Sequence, residues 1–172
     1  MDINCGVRLL TTKIPAEEMN KDLLAKILQA ISKRVPSGVG RSSELKDLRK
    51  PNLEGIAHEG AGYYIKKGFG RTEELDRIED HGCIKGAKVS AIPKSALRRI
   101  DQLGTIGGGN HFIEIGRISK VFDEELASKL GLNKKHIYIM IHTGSRGFGH
   151  QICTDYSAAM WKNSDKNQTR AP

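Results

Sequence analysis

Apolar positions along the chain recur at two periods. Met19, Leu23, Leu24, Ile27, Leu28 and Ile31 return every three or four residues, the spacing that turns one helix face toward a core. Pro15 with Ala16-Glu17-Glu18 marks a start, because proline fits a first helical turn and acids favour the positive dipole end. Pro36, Gly38 and Gly40 stop that helix. A second helix is predicted roughly over residues 52–67, burying Leu53, Ile56, Ala57, Tyr64 and Ile65. Thr72 reads as the N-cap of a short helix ending at Gly82. A helical turn is expected over residues 95–100, and Asp123 caps a helix that Gly131 closes. Strands are expected where the period falls to two or the run is β-branched: a short one after the turn at residues 2–6, Phe112-Ile113-Glu114-Ile115, and Ile137–Ile141. Two glycine-rich turns adjoin these strands, Gly104–Asn110 before one and Gly144–Gly149 after another. From Ser157 the chain is polar without helical periodicity, so residues 157–172 read as a divergent or disordered tail. These elements predict an α/β (α+β) fold, with mixed sheets and helices outside.

Composition narrows the class. With 172 residues the chain is one domain or slightly more, long enough for a core of its own. Aromatics are 5% of the chain, so that core must be mostly aliphatic. Lys plus Arg number 28 against 20 Asp plus Glu, a net charge of +8, which fits a polyanionic partner. No apolar run is long enough to span a bilayer. The first residues lack the features of a signal peptide, and three cysteines do not make a secreted disulfide framework. A cytoplasmic globular protein without a membrane segment is the expectation.

Candidate chemistry gathers at the strand–glycine junctions. Asp2 and Cys5 are three apart in a turn, His111 follows three glycines, and His142 follows a buried strand. Carboxylate, thiolate and imidazole form a mixed hard and soft set suited to Zn, Mn or Fe rather than Mg or Ca. Each residue also has an ordinary use, a hydrogen-bonded strand-end histidine or a cysteine packed as a small hydrophobe. It is the repeated histidine at a strand–glycine junction that favours a metal. The glycine loop could cradle phosphate through backbone N–H groups or serve as a tight turn. It matches neither G-x-G-x-x-G nor a Walker loop. Arg146 offers a planar fork for phosphate oxygens, which Arg98 and Arg99 could join. Solvated surface arginines are the plainer alternative. Ser145 does not fit G-x-S-x-G.

Three stretches together resemble the RtcB family of tRNA-splicing RNA ligases: Asp2-Ile3-Asn4-Cys5-Gly6-Val7-Arg8, Gln102 to Glu114 with its Gly107-Gly108-Gly109-Asn110-His111 core, and His142-Thr143-Gly144-Ser145-Arg146-Gly147 running on to Gln151. Val35–Gly40 and His81-Gly82-Cys83 resemble it too. The resemblance covers about residues 2–156, which would form a partial RNA ligase catalytic domain with an RtcB-like fold. It implies a GTP- and Mn2+-dependent ligase that joins 2′,3′-cyclic phosphate or 3′-phosphate RNA ends to 5′-hydroxyl ends in tRNA splicing and RNA repair, through a guanylylated histidine. It implies two Mn2+ ions held by Asp2, Cys5, His111 and His142, with Cys5 bridging. It further implies GTP contacts at Asn110, His111, Phe112, Ile113 and Glu114, and RNA or phosphate contacts at Arg98 and Arg146. Partners would be RNA, as tRNA halves or broken ends, with GTP and an activating protein. The family's guanylylated histidine and a further histidine ligand have no counterpart here. The chain is therefore expected to be an internal or truncated piece that does not form the nucleotide intermediate alone. Two rival readings carry different chemistry: a non-catalytic RNA- or GTP-binding module, and a mononuclear zinc hydrolase using the same four ligands.

Overall fold

A computed structural model describes residues 3–43 and 45–167. Its elements are β1 (Gly6–Pro15), α1 (Lys21–Arg34), α2 (Lys46–Arg49), α3 (Leu53–Glu59), α4 (Ala61–Lys66), α5 (Lys94–Leu97), β2 (Phe112–Arg117), α6 (Glu124–Lys129), β3 (His136–Thr143) and α7 (Arg146–Asn167), with short 3-10 turns between some of them. The predicted mixture of sheet and surrounding helices is observed. The three strands form one antiparallel sheet in the order β1-β3-β2.

The register places the site. Val7 and Phe112 both pair with His142, Leu9 and Glu114 with Met140, and Thr11 and Gly116 with Tyr138. Side chains alternate across a strand. One face therefore carries Val7, Leu9, Met140, His142, Phe112 and Glu114, and the other carries the β3 isoleucines with Ile113 and Ile115. The β-branched run makes β3 the central strand, where Ile137 is buried.

Backbone hydrogen bonds tie the glycine loop that precedes β2 into its surroundings. Gly38 donates to Gly107 O at 2.7 Å and Ile106 to Pro36 O at 3.0 Å. Thr143 Oγ1 on β3 donates to Ile106 O at 3.0 Å, and Gly147 N on α7 donates to Gln102 Oε1 at 3.2 Å. Thr105 and Ile106 of this loop are buried.

Several expectations need correcting. The first helix does not start at Pro15. Residues 16–18 form a 3-10 turn, and Asn20 caps α1 by accepting from Leu23 N at 2.9 Å. Its apolar stripe is not buried: no α1 residue is, and Leu23 and Leu28 are exposed. The helix predicted over 52–67 is two, because Gly60 adopts φ 57° and ψ −133°, outside helical space. Thr72 opens a 3-10 turn without a side-chain cap. The Gly144–Gly149 stretch is not an open turn, because α7 begins at Arg146, and that helix runs on through the segment from Ser157 to Asn167. Residues 168–172 lie outside the described part.

The core is thin among the described residues. Among the described residues the buried apolar ones are Ala96, Ile106, Ala127 and Ile137. The accessible surface is 12758 Å², whereas a compact domain of this mass exposes about 8,400 Å². Val7, Phe122, Leu126 and Leu130 stand in solvent, and most of them flank a groove of about 430 Å³ between the sheet and α6. No helix among the described residues is long and apolar enough to cross a membrane.

Candidate metal centre

Three of the four expected ligands meet at one rim of the sheet. Cys5 stands in the turn just before β1, behind Asn4 at a left-handed φ of 61°. His111 stands just before β2, and His142 is the next-to-last residue of β3. Because β1 and β2 flank β3, and both pair with His142, their starts converge on that residue.

Cys5 Sγ is 3.2 Å from His142 Nε2 and 3.5 Å from His111 Nε2. One ligand atom from each residue falls within 4.8 Å of the others. Zn–S and Zn–N bonds of about 2.3 and 2.1 Å at a tetrahedral angle would separate S from N by about 3.6 Å. The cluster is thus spaced as ligands of one ion are. The His111 and His142 rings meet edge to face, 5.2 Å apart, and Phe112 packs edge-on against His142 at 5.5 Å. Those contacts fix the imidazole planes. The thiol is exposed and both histidines are half-buried, so an ion can enter from solvent. Asp2, the fourth expected ligand, lies outside the described residues.

The expected nucleotide contacts divide. Asn110 is exposed at the loop's end, next to His111. Phe112 and Glu114 share the His142 face, whereas Ile113 pairs with Ile141 on the opposite face. Glu114 accepts from the Tyr138 hydroxyl at 2.8 Å. That hydrogen bond, then desolvation and the carboxylate charge, raise the Tyr138 pKa above its usual value. A side chain at Gly116 would collide with the Tyr138 ring, so this glycine lets the ring lie across β2.

The two arginines separate as well. Arg146 Nη1 lies 3.2 Å from His111 Nδ1 and its Nε lies 3.3 Å from Thr105 Oγ1. Arg98 is exposed and faces Asp155 of α7, whose pKa is lowered by hydrogen bonds from Ser95 and Gln151 and by the Arg98 charge. Sequence reasoning missed Thr105, Gln102 and Tyr138. Tyr138 opposite Gly116 was legible as a cross-strand pair, but Thr105 and Gln102 depend on tertiary contacts with no local pattern.

The family model for tRNA-splicing ligase RtcB matches residues 1–172. A tRNA-splicing ligase RtcB of Methanocaldococcus jannaschii is 41% identical over 170 residues, 98% of this chain and 17% of that protein. Those of Archaeoglobus fulgidus and Nanoarchaeum equitans are 42% and 45% identical over 156 and 157 residues, each 90% of this chain and 32% of the relative. The chain spans about a third or less of the length of these curated relatives. With a whole-chain match and identities near two in five, the chain belongs to the tRNA-splicing ligase RtcB family.

Proposed function

We propose that the chain contributes the first part of the metal centre of a GTP- and Mn2+-dependent RNA ligase, within a partial catalytic domain over about residues 2–156. The Cys5–His111–His142 cluster carries this reading. Its reaction joins 2′,3′-cyclic phosphate or 3′-phosphate RNA ends, such as tRNA halves or broken RNA, to 5′-hydroxyl ends. The route is a histidine–GMP intermediate whose nucleophile lies outside these 172 residues, in the cytoplasm and with an activating protein partner.

Asp2, Cys5, His111 and His142 would hold the two ions, Asp2 and His111 one and His142 the other, with the Cys5 thiolate shared between them. Bound Mn2+ would supply Lewis acidity at phosphate oxygens and offset triphosphate charge. The chain's own residues orient and bind. Phe112 and the facing rings hold the imidazoles in place. Asn110 presents an amide beside the cluster for a guanine nucleotide, and Glu114, steadied by Tyr138, adds an acceptor on the same face. Arg98 is an exposed cation for RNA phosphate, and the Arg146 donors not used by Thr105 and His111 face the same task.

Metal analysis tests the reading against its rivals. The expected result is two Mn2+-competent sites that Cys5→Ala and His142→Ala each disrupt with little change in circular dichroism. One tight zinc would favour a mononuclear hydrolase, and no metal a binding module. Incubation of the chain alone with labelled GTP and Mn2+ should leave no covalent adduct, and a stable adduct would overturn the assignment of the nucleophile to a region outside it.

A further inference from the structure

The Arg146 guanidinium lies beside the metal cluster in a seat built for it. Its Nε donates to Thr105 Oγ1. Thr105 is 3% exposed, and its own hydroxyl donates to Gln102 O at 2.7 Å. A Cβ on Gly107 would overlap the guanidinium carbon, so the bare glycine makes room. Arg146 reaches this seat from a φ of 54°, a left-handed conformation that costs a non-glycine residue about 1–2 kcal/mol. The contacts around it hold the arginine there.

The contact with His111 has a definite sense. Arginine only donates, so at 3.2 Å Nδ1 must accept. In the neutral ring the hydrogen then sits on Nε2, the nitrogen that faces Cys5 Sγ. A metal taken up by Nε2 needs the reverse: a bare Nε2, and a hydrogen on Nδ1 directed at an acceptor. An Nδ1–H and a guanidinium N–H cannot share that contact.

We propose that Arg146 is a positioning residue with two seats. Docked on Thr105 and His111, it holds His111 in the arrangement that does not ligate metal through Nε2. Metal uptake displaces it, and its planar fork is then released to an anionic oxygen such as a phosphate. This inference rests on the metal-centre reading above. Linkage makes the effect reciprocal: an anion that captures the displaced Arg146 tightens metal binding by the factor by which metal tightens the anion.

The test titrates cobalt(II) into the full chain, read by the thiolate-to-cobalt absorption of Cys5, with and without sulfate at fixed pH and ionic strength. Arg146→Ala and Arg146→Gln are expected to bind cobalt more tightly by roughly fivefold or more, the lower range of such couplings. Thr105→Val, which keeps the buried shape but removes the acceptor for Nε, should tighten binding in the same direction, and Thr105→Ser should restore wild-type affinity. Sulfate should tighten cobalt in the wild type and leave Arg146→Ala unmoved. Arg146→Lys separates the hydrogen bond from bare charge, because it keeps the cation and loses the fork. Tighter binding in Lys as well as Ala supports the two-seat device. Tighter binding in Ala alone, with Thr105→Val unchanged, reduces Arg146 to simple repulsion and overturns it. Equal or weaker cobalt affinity in Arg146→Ala and Thr105→Val also overturns it, while leaving the metal centre intact. No cobalt–thiolate absorption in any variant sinks the metal centre itself, and the proposal with it.

Discussion

The glycine loop over residues 104–110 and helix α1 are opposites in how they are held. Four of the loop's seven residues are glycine, yet backbone bonds to the Pro36–Gly38 stretch and a hydroxyl from β3 fix it, and Thr105 and Ile106 are buried. α1 carries Leu23, Leu24, Ile27, Leu28 and Ile31 on or beside one stripe, a good N-cap and basic residues in its last turn, yet buries none of its residues. Amphipathic patterning gives a helix a face to bury but not a surface to bury it against. The Cys5–His111–His142 cluster hangs on the region of the first kind: His111 follows the loop and His142 stands beside the hydroxyl that pins it. A site can thus be built where the general core is thin, because directional hydrogen bonds replace bulk burial.

The sharpest way to break this contrast is a pair of truncations. Ile106→Ala removes a side chain that is 7% exposed and should destabilise the chain by about 2–4 kcal/mol, the usual range for such cavities. Leu28→Ala removes an equally large side chain that is 43% exposed and should cost about 0.5 kcal/mol or less. Urea denaturation followed by circular dichroism measures both. Similar losses in the two variants would mean that α1 is docked after all and that the two regions are held alike.

Much of the site was legible in the sequence because its determinants are local. The run Ile137–Ile141 reads as a strand from its β-branched residues, although only Ile137 of it is buried, and the histidine after it stands at the sheet's rim. Asp123 caps α6 by accepting from Leu126 N at 2.8 Å, as expected. What failed was decided at a distance. Gly147 and Gly149 looked like turn residues, but α7 runs through them. A Cβ at Gly147 would press on Gln102 Oε1 at 2.5 Å, and one at Gly149 would strike Ser145 Oγ. There glycine serves close approach rather than bending. Ser157 onward looked aperiodic because a helix standing in solvent, with Met160 and Trp161 exposed, has no core face to declare. Gly60 breaks the second helix so that the chain can pass against the Gly82 carbonyl and Cys83, partners 22 residues and more away in sequence.

An intermediate effect sharpens the comparison at α1 itself. Asn20→Ala removes the cap on Leu23 N, a loss of about 1 kcal/mol to the helix. In an undocked helix that loss is local. Amide exchange in the first turns of α1 should quicken roughly fivefold, while exchange at Ile139 and Ile141 in the central strand stays as it was. Equal acceleration in the strand would show that α1 and the sheet unfold as one unit.

The smallest effect concerns the contact between α5 and α7, which carries the loop-binding end of α7. Asp155 accepts from Ser95 Oγ and, at 2.8 Å, from Gln151 Nε2. Its pKa is lowered from the ordinary 3.8, first by the Ser95 hydrogen bond, then by Gln151, with Arg98 adding its charge. A carboxyl with a depressed folded-state pKa adds stability above its unfolded value, and loses it as pH falls through the folded value. Ser95→Ala removes the largest contribution. The variant should therefore be slightly less stable than wild type at pH 6–7, and the gap should close as the pH drops below 3.8 and the carboxyl takes up its proton. Asp155→Asn should show the same small loss near neutrality and no further change in acid. Thermal unfolding across that pH range decides the matter. A Ser95→Ala gap that persists unchanged at pH 2–3 would mean that the hydroxyl acts by packing against α7 and not through the ionised carboxylate.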